Sequence, residues 1–135
     1  MSNNKSAYDD NNIFARILRG EIPCKKIYED THSLAFEDIH PQAPVHTLVI
    51  PKGKYVSMKD FAENAPDAEI AALLRSVAKV AEIKGLKESG YRILANAGAD
   101  AHQEVPHLHF HIFGGKALGP MLEHRAFNRA HIRRL

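Results

Sequence analysis

The chain of 135 residues contains no tryptophan and one cysteine, and aromatic residues make up only 7% of it. A single cysteine cannot form an internal disulfide, so we expect a fold without one and a reducing, cytoplasmic setting. No apolar run approaches the roughly 20 residues of a membrane-spanning helix, which argues against a membrane partner. The net charge of +2 is too small to indicate a nucleic-acid partner.

The length indicates one domain with a single core. Residues 1–11 are polar, with little to bury, and we expect a disordered lead-in there. The same stretch lacks the basic start and apolar centre of a signal peptide. We place the domain at residues 12–121. Residues 122–135 form a basic tail, interpreted as a solvated terminus, with docking on the domain or on a partner as the alternative.

Hydrophobic periodicity predicts an α+β domain in which a five-stranded antiparallel sheet carries one long and one short helix. Asn12 is a plausible N-cap for the short helix, which Gly20 would end. The long helix is predicted from Pro66 to Lys84, and Ser57 could cap a brief helical turn through Phe61. The buried stripe of the long helix would be Ile70, Leu73, Leu74, Val77, Val80 and Ala81. Strands are predicted at Lys25–Glu29, Ser33–Asp38, His46–Pro51, Tyr91–Ala95 and 107–113.

The last of these strands, His107-Leu108-His109-Phe110-His111-Ile112-Phe113, alternates histidine with large apolar residues. Strand side chains alternate between faces, so His107, His109 and His111 would share one face while the apolar residues bury the other. A helix would scatter the three histidines and form no apolar stripe. With 9 histidines in 135 residues, such a triple is expected roughly 0.04 times by chance. A solvated histidine face is the simpler alternative, and a functional site explains the row better.

Neutral imidazole can serve as a nucleophile, a general base or a metal ligand, and its pKa lies near neutral pH. Because it is neutral, such a ring can approach an anionic group that would repel an anionic nucleophile. One ring nitrogen attacks while the other carries the proton, so a hydrogen-bond acceptor must hold the tautomer.

The segment 107–113 resembles the His-φ-His-φ-His-φ-φ signature of the histidine triad (HIT) superfamily. Further stretches resemble its Hint branch, the nucleoside phosphoramidases, and together the similarity spans about residues 12–121. Those stretches are Ile13-Phe14, Gly20-Glu21-Ile22-Pro23, Ala35-Phe36-Glu37-Asp38-Ile39, Pro41-Gln42-Ala43-Pro44-Val45-His46, Gly90-Tyr91-Arg92 to Asn96, and Gly114-Gly115.

This resemblance implies a homodimer whose sheet continues across two subunits. Open sheet edges, which another chain often covers, make dimerisation plausible as well. The resemblance also implies binding of a purine nucleoside monophosphate and hydrolysis of phosphoramidates, such as AMP linked to an amine. No cofactor would be required and no metal would be bound.

The resemblance further assigns roles to individual residues. His109 would be the nucleophile that forms a covalent nucleotidyl-histidine, flanked by His107 and His111, and His46 would complete a set of four. Asp38 would bond the ribose hydroxyls and Ile39 would wall the base pocket. The remaining substrate contacts would come from Asn96, Gln103, Glu104, Val105 and His111. Either His111 or His46 could protonate the leaving amine, and the residues do not decide between them.

Two departures from the family pattern concern the substrate. Ala101-His102-Gln103-Glu104 stands where many relatives have glycine and then a serine or threonine that contacts phosphate. Because an ionised carboxylate would repel phosphate, we expect Glu104 to contribute its backbone N–H. Lys54 and Tyr55 stand where some relatives carry another histidine.

Three alternatives remain. The row could bind zinc through two of its histidines with His46 as a third ligand, although no cysteine ligands lie nearby. The chain could also be a nucleotide-binding protein without catalysis, or a dinucleoside polyphosphate hydrolase of the same superfamily.

Overall fold

The computed structural model describes residues 8–122. The predictions for residues 1–7 and for the tail from residue 123 lie outside these described residues. Three helices occur in the described part of the chain: α1 (Ile13–Leu18), α2 (Met58–Asn64) and α3 (Asp67–Ile83). The five strands there are β1 (Lys26–Glu29), β2 (Ser33–Glu37), β3 (Val45–Pro51), β4 (Arg92–Leu94) and β5 (Phe110–Gly114).

The strands form one antiparallel sheet in the order β1-β2-β3-β5-β4. The predicted α+β class and the five-stranded antiparallel sheet are therefore confirmed. The pairing of β3 with β5 sets His46 opposite Phe113 and Leu48 opposite His111. His46 and His111 are thus diagonal neighbours on one face of the sheet, within reach of each other.

The histidine strand is shorter than predicted, because the ladder with β3 begins at the pair of Val49 and Phe110. Before that pair, the Leu108 N–H donates to the carbonyl of Tyr55 at 2.8 Å. The His107 N–H closes a tight turn onto the Val105 carbonyl, also at 2.8 Å. The alternation of faces nevertheless holds through this irregular stretch, because Leu108, Phe110 and Ile112 all lie in one apolar cluster.

Two apolar clusters cover the two faces of the sheet. The larger lies under α3, where Leu108, Phe110 and Ile112 pack against the helix residues Leu73 and Val77. The smaller lies under α1 and contains Phe14, Leu34, Phe36, Leu48 and Ile50. Because Leu108, Phe110 and Ile112 face α3, the alternating histidines face α1.

Helix α3 occupies the predicted range, with Pro66 as its N-cap and Gly85 following its C-cap at a φ of 75°. The prediction was wrong for Leu74, whose side chain is 54% exposed. Leu74 lies about 100° round the helix from the buried Leu73, at the edge of the stripe. The buried face instead includes Ser76, whose hydroxyl donates to Asp30 Oδ2 at 2.9 Å or to the Ala72 carbonyl at 2.7 Å.

The short helices also follow the sequence closely. The Asn12 side chain caps α1 by accepting the Ala15 N–H at 2.9 Å, and Gly20 follows the helix with a φ of 81°. Helix α2 starts after Ser57 as predicted, but it runs on to Asn64 and the Ser57 hydroxyl makes no capping bond. The domain therefore has a third helix where only a brief turn was expected.

Strand β4 is three residues long and forms one edge of the sheet. Tyr91 and Ile93 at this edge are each 44% exposed. Within residues 8–122, none of the helices is both long enough and apolar enough to cross a membrane.

Candidate active site

A cavity of about 490 Å³ opens on the α1 side of the sheet, at the histidine row. Its lining includes every residue for which the sequence predicted a substrate contact: Asp38, Ile39, Asn96, Gln103, Glu104, Val105 and His111. His109 also lines it, whereas His107 and His46 lie behind the lining residues, 0% and 2% exposed. The four predicted catalytic histidines therefore form one cluster in which two rings face the cavity.

The imidazole of His109 is held in one tautomer by the backbone. Its Nδ1 lies 2.7 Å from the His107 carbonyl oxygen, which can only accept, so Nδ1 carries the proton. Nε2 then has a free lone pair. The ring packs edge-on against Phe14 at 4.9 Å between centroids, and burial lowers the pKa of His109. His109 is thus a neutral imidazole with an unprotonated nitrogen, as nucleophilic attack requires.

His107 is locked behind His109. Its Nε2–H donates to the Pro51 carbonyl at 2.8 Å, which leaves Nδ1 to accept from the Tyr8 hydroxyl at 2.5 Å. Burial lowers the pKa of this ring to about 4. Since both nitrogens are occupied and the residue has no exposed surface, the His107 side chain has no direct access to a ligand in the cavity.

His46 and His111 form a chain of hydrogen bonds with a single consistent direction. The Gln42 N–H donates to His46 Nδ1 at 3.1 Å, so the proton of neutral His46 lies on Nε2. His46 Nε2 in turn lies 2.9 Å from His111 Nδ1, which must accept. The remaining proton of His111 is therefore on Nε2. Burial is the largest cause that lowers both pKa values, that of His111 to about 4.

Asp38 links the β2–β3 loop to these histidines. Its Oδ2 lies 3.3 Å from His46 Nε2, and its Oδ1 accepts the His40 N–H at 2.8 Å. The next residue, Ile39, is 79% exposed at the cavity. A carboxylate beside an exposed apolar side chain offers a hydrogen-bond acceptor and a hydrophobic wall, as a nucleoside requires.

The loop between β4 and the histidine row is held by Gln103. The Gly98 N–H donates to its Oε1 at 3.1 Å, and its Nε2 lies 2.8 Å from the Val56 carbonyl and 3.0 Å from that of Val105. With these bonds made, the Gln103 amide shapes the loop rather than reaching into the cavity. Both Nε2–H groups of Gln103 are used in these bonds, and the part predicted for this loop in holding a phosphate stays a prediction.

The departure from the family pattern at Ala101 to Glu104 lies at the rim of the cavity. His102 has a φ of 58°, a left-handed conformation that favours glycine, and its Nε2 lies 3.0 Å from Glu104 Oε2. Both side chains are largely exposed, 86% for His102 and 74% for Glu104. The Glu104 carboxylate thus has a partner at the rim that the sequence did not indicate.

The zinc alternative can be tested on the donor atoms. Asp38, His46 and His111 offer ligand atoms that all lie within 4.8 Å of one another. A metal would need lone pairs on His46 Nε2 and His111 Nδ1, but these atoms share one proton, and the Gln42 N–H occupies the other nitrogen of His46. A metal bound here would have to displace that proton, and the expected absence of a metal stays a prediction.

Tyr8 is the residue at this site that sequence reasoning missed. It lies in the stretch assigned to the lead-in, of which residues 8–11 are described and contact the domain. The available signal was weak: Tyr8 is the single aromatic residue among the first twelve.

The sequence and the fold of this chain are similar to those of known proteins. A family described as the HIT domain matches residues 19–118. An uncharacterised 13.2 kDa HIT-like protein of Azospirillum brasilense is 65% identical over 115 residues, covering 85% of this chain and 94% of the relative. A purine nucleoside phosphoramidase of Escherichia coli is 42% identical over 113 residues, covering 84% and 94%. A solved HIT family hydrolase from Clostridium thermocellum superposes with a TM-score of 0.78 at 39% identity, covering 85% and 99%.

The buried histidines predict a loss of stability in mild acid. The pKa of His107 is about 4 in the fold and 6.5 in its absence. Between these values the unfolded chain binds a proton that the native state excludes, so stability falls as pH falls and is fully present above about 6.5. We expect His107 alone to lower the free energy of unfolding by about 2 kcal/mol between pH 7 and pH 5. Urea denaturation at both pH values measures it.

The control separates this ring from the other ionisable groups. His107→Gln should remove about 2 kcal/mol of the difference between the two pH values. His40→Gln replaces an exposed ring and should leave that difference unchanged. Equal differences in wild type and in His107→Gln would show that His107 is not excluded from protonation in the fold.

Proposed function

The chain belongs to the HIT family, and from this premise we propose that it hydrolyses purine nucleoside phosphoramidates, in which AMP is linked to an amine. The observation that carries the proposal is the free Nε2 lone pair of His109 at the cavity, with its other nitrogen held protonated by the His107 carbonyl. The cavity, at about 490 Å³, has the size of a small-ligand site. The similarity to a purine nucleoside phosphoramidase supports the choice of substrate.

The nucleotide would be held by groups at the mouth of the cavity. Asp38 would accept the ribose hydroxyls and Ile39 would cover the base. Asn96 and the backbone of Glu104 and Val105 would hold the phosphate, because no lysine or arginine is among the described residues that line this cavity.

Reaction would proceed by two displacements at phosphorus. His109 Nε2 attacks, the P–N bond breaks, and a nucleotidyl-histidine forms whose positive ring donates Nδ1–H to the His107 carbonyl. Water then attacks the same phosphorus, which releases AMP and restores neutral His109. Splitting one difficult displacement in two lowers each barrier.

The amine needs a proton to leave, and His111 is the residue proposed to supply it. Its Nε2–H is not used by the chain of bonds from Gln42 through His46, and its ring lines the cavity. An anionic substrate raises the affinity of the His46–His111 pair for a proton. The pair would thus take up one proton with the substrate, give it to the amine, and regain it from the attacking water.

The nucleophile is tested by His109→Ala. We expect turnover of adenosine 5′-phosphoramidate to fall by at least about a thousandfold, because no other described lone pair of the row faces the cavity. The dissociation constant of AMP, measured by calorimetry, should change by only a few-fold, since the ribose and phosphate contacts lie elsewhere.

The matched control is His32→Ala, which removes a histidine between β1 and β2 that is not among the residues lining the cavity, and should leave turnover unchanged. Labelled nucleotide trapped on the wild-type protein should map to residue 109. Near-normal turnover in His109→Ala, or label on another side chain, would rule out the mechanism.

The acid is tested by His111→Asn with two leaving groups. For an AMP alkylamide, whose amine must be protonated, we expect turnover to fall about a hundred- to ten-thousandfold. For an AMP aryl ester with an acidic phenol, the fall should be much smaller. Equal losses with both substrates would mean that His111 does not act as the acid.

We further propose that the chain forms a homodimer through the edge strand β4. Two short antiparallel β4 strands could pair across a twofold axis and cover Tyr91 and Ile93, which are both substantially exposed. Covering this edge would extend the sheet across two subunits, as the family resemblance implies.

Ile93→Glu tests the dimer by placing a charge at that edge, and we expect a monomer in sedimentation velocity. Met58→Glu is the matched control, because Met58 on α2 has a similar exposure of 41% against 44% for Ile93. The control should sediment like the wild type. A monomeric wild type, or an unchanged Ile93→Glu, would refute this interface.

A further inference from the structure

Two hydrogen bonds link the N-terminal segment to His109 through His107, and a third holds the His107 ring against Pro51. The Tyr8 hydroxyl donates to His107 Nδ1 at 2.5 Å, His107 Nε2 donates to the Pro51 carbonyl at 2.8 Å, and His109 Nδ1 donates to the His107 carbonyl at 2.7 Å. The direction of each bond is determined, because both carbonyls can only accept and neutral His107 has one proton. Tyr8 must therefore be a donor.

The residues that follow Tyr8 are fastened to the domain. Lys54 Nζ lies 2.8 Å from Asp10 Oδ1, and Arg19 Nη1 donates to the Asp10 carbonyl at 2.8 Å. Asn12 bonds the Asp9 carbonyl through both its backbone N–H, at 3.1 Å, and its side-chain amide, at 2.7 Å. These contacts hold the tyrosine ring edge-on against His107, with 5.6 Å between ring centroids.

Without the Tyr8 hydroxyl, His107 Nδ1 would be a buried acceptor with no donor, because the ring has no exposed surface on which water could replace it. Buried polar groups are almost always paired, and an unpaired one favours rearrangement. The ring could rotate or exchange its tautomer to recover a partner. A changed tautomer would set the Nε2 lone pair against the Pro51 carbonyl, and a rotated ring would lose that bond. Either change strains residue 107, whose carbonyl fixes the proton of His109.

We propose that Tyr8 is a positioning residue for His109, acting through the ring and carbonyl of His107 without contacting the substrate. Nothing in the cavity itself requires the tyrosine, since Tyr8 is not among the residues that line it. Its contribution is to hold the backbone that keeps the Nε2 lone pair of His109 available. The kinetic part of this proposal rests on the proposed hydrolysis, whereas the structural part does not.

Tyr8→Phe removes the hydroxyl and keeps the aromatic contact. We expect kcat for adenosine 5′-phosphoramidate to fall about ten- to a hundredfold, since small displacements of a reacting group slow chemistry by such factors. KM should change less than twofold, because the substrate contacts are intact. A tyrosine that only stabilised the fold would lower the unfolding midpoint without this split between kcat and KM.

Nitrogen-15 spectra of the imidazoles give a readout that needs no substrate. In the wild type, His107 should be the Nε2–H tautomer and His109 the Nδ1–H tautomer. In Tyr8→Phe, the His107 Nδ1 resonance should move to that of a nitrogen without a hydrogen bond, and His109 should show a mixture of tautomers.

Tyr28→Phe is the matched control, because the Tyr28 hydroxyl donates to Asp30 Oδ2 at 3.1 Å, away from the cavity. It should change neither the kinetic constants nor the tautomers. A Tyr8→Phe protein with wild-type tautomers at His107 and His109 would overturn the proposal, even if the wild type hydrolysed no phosphoramidate. If the wild type hydrolysed no phosphoramidate but the spectra of both proteins were as expected, only the proposed function would be refuted.

Discussion

The hydrogen bond from His109 Nδ1 to the His107 carbonyl is the interaction on which the rest of the site depends. Its acceptor is a backbone atom two residues away, so the tautomer of the His109 ring is determined by the path of the chain. That path is set by the turn onto Val105 and by the bond from the Leu108 N–H to the Tyr55 carbonyl. The lone pair that His109 presents to the cavity is therefore a consequence of the backbone around it.

Burial is the second constraint, because it keeps the histidines neutral. It is the largest cause of the lowered pKa of His46, His107, His109 and His111. A neutral nucleophile does not attract an anionic phosphate, and the described cavity lining offers no lysine or arginine. The charge of a phosphate would have to be met by N–H donors of the loop and by imidazole N–H groups, which are dipoles fixed before the ligand arrives.

The layers of the fold and the cluster of histidines were accessible from the sequence, because both follow from local periodicity. The alternation in 107–113 places Leu108, Phe110 and Ile112 on the α3 face whether or not a ladder forms. The end of the ladder at Phe110 was not accessible, since it depends on Tyr55, which is distant in the chain. Leu74 was wrongly predicted to be buried, because helical periodicity gives the direction of a side chain but not the extent of the surface that the helix packs against.

The polar partners of the site were harder to predict for a physical reason. Composition measures how much a segment can bury, and the stretch before Asn12 has little apolar surface. It does not measure whether a buried acceptor elsewhere needs a donor. Tyr8 satisfies His107 Nδ1 and the Gln103 amide satisfies two carbonyls, and both requirements arise only once the fold exists.

The position of each histidine relative to the ladder explains why one row can hold different roles. His111 lies inside the ladder, opposite Leu48 on β3, so its distance to His46 is set by sheet geometry. His109 lies one residue before the first pair, where its ring is held by the carbonyl of His107 and by Phe14 instead of by a strand. The rigid ladder thus suits the ring proposed to pass protons, and the adjoining irregular stretch leaves free the lone pair that is proposed to attack. Because the ladder ends at Phe110, His111 is positioned by strand pairing and His109 by the local path of the chain.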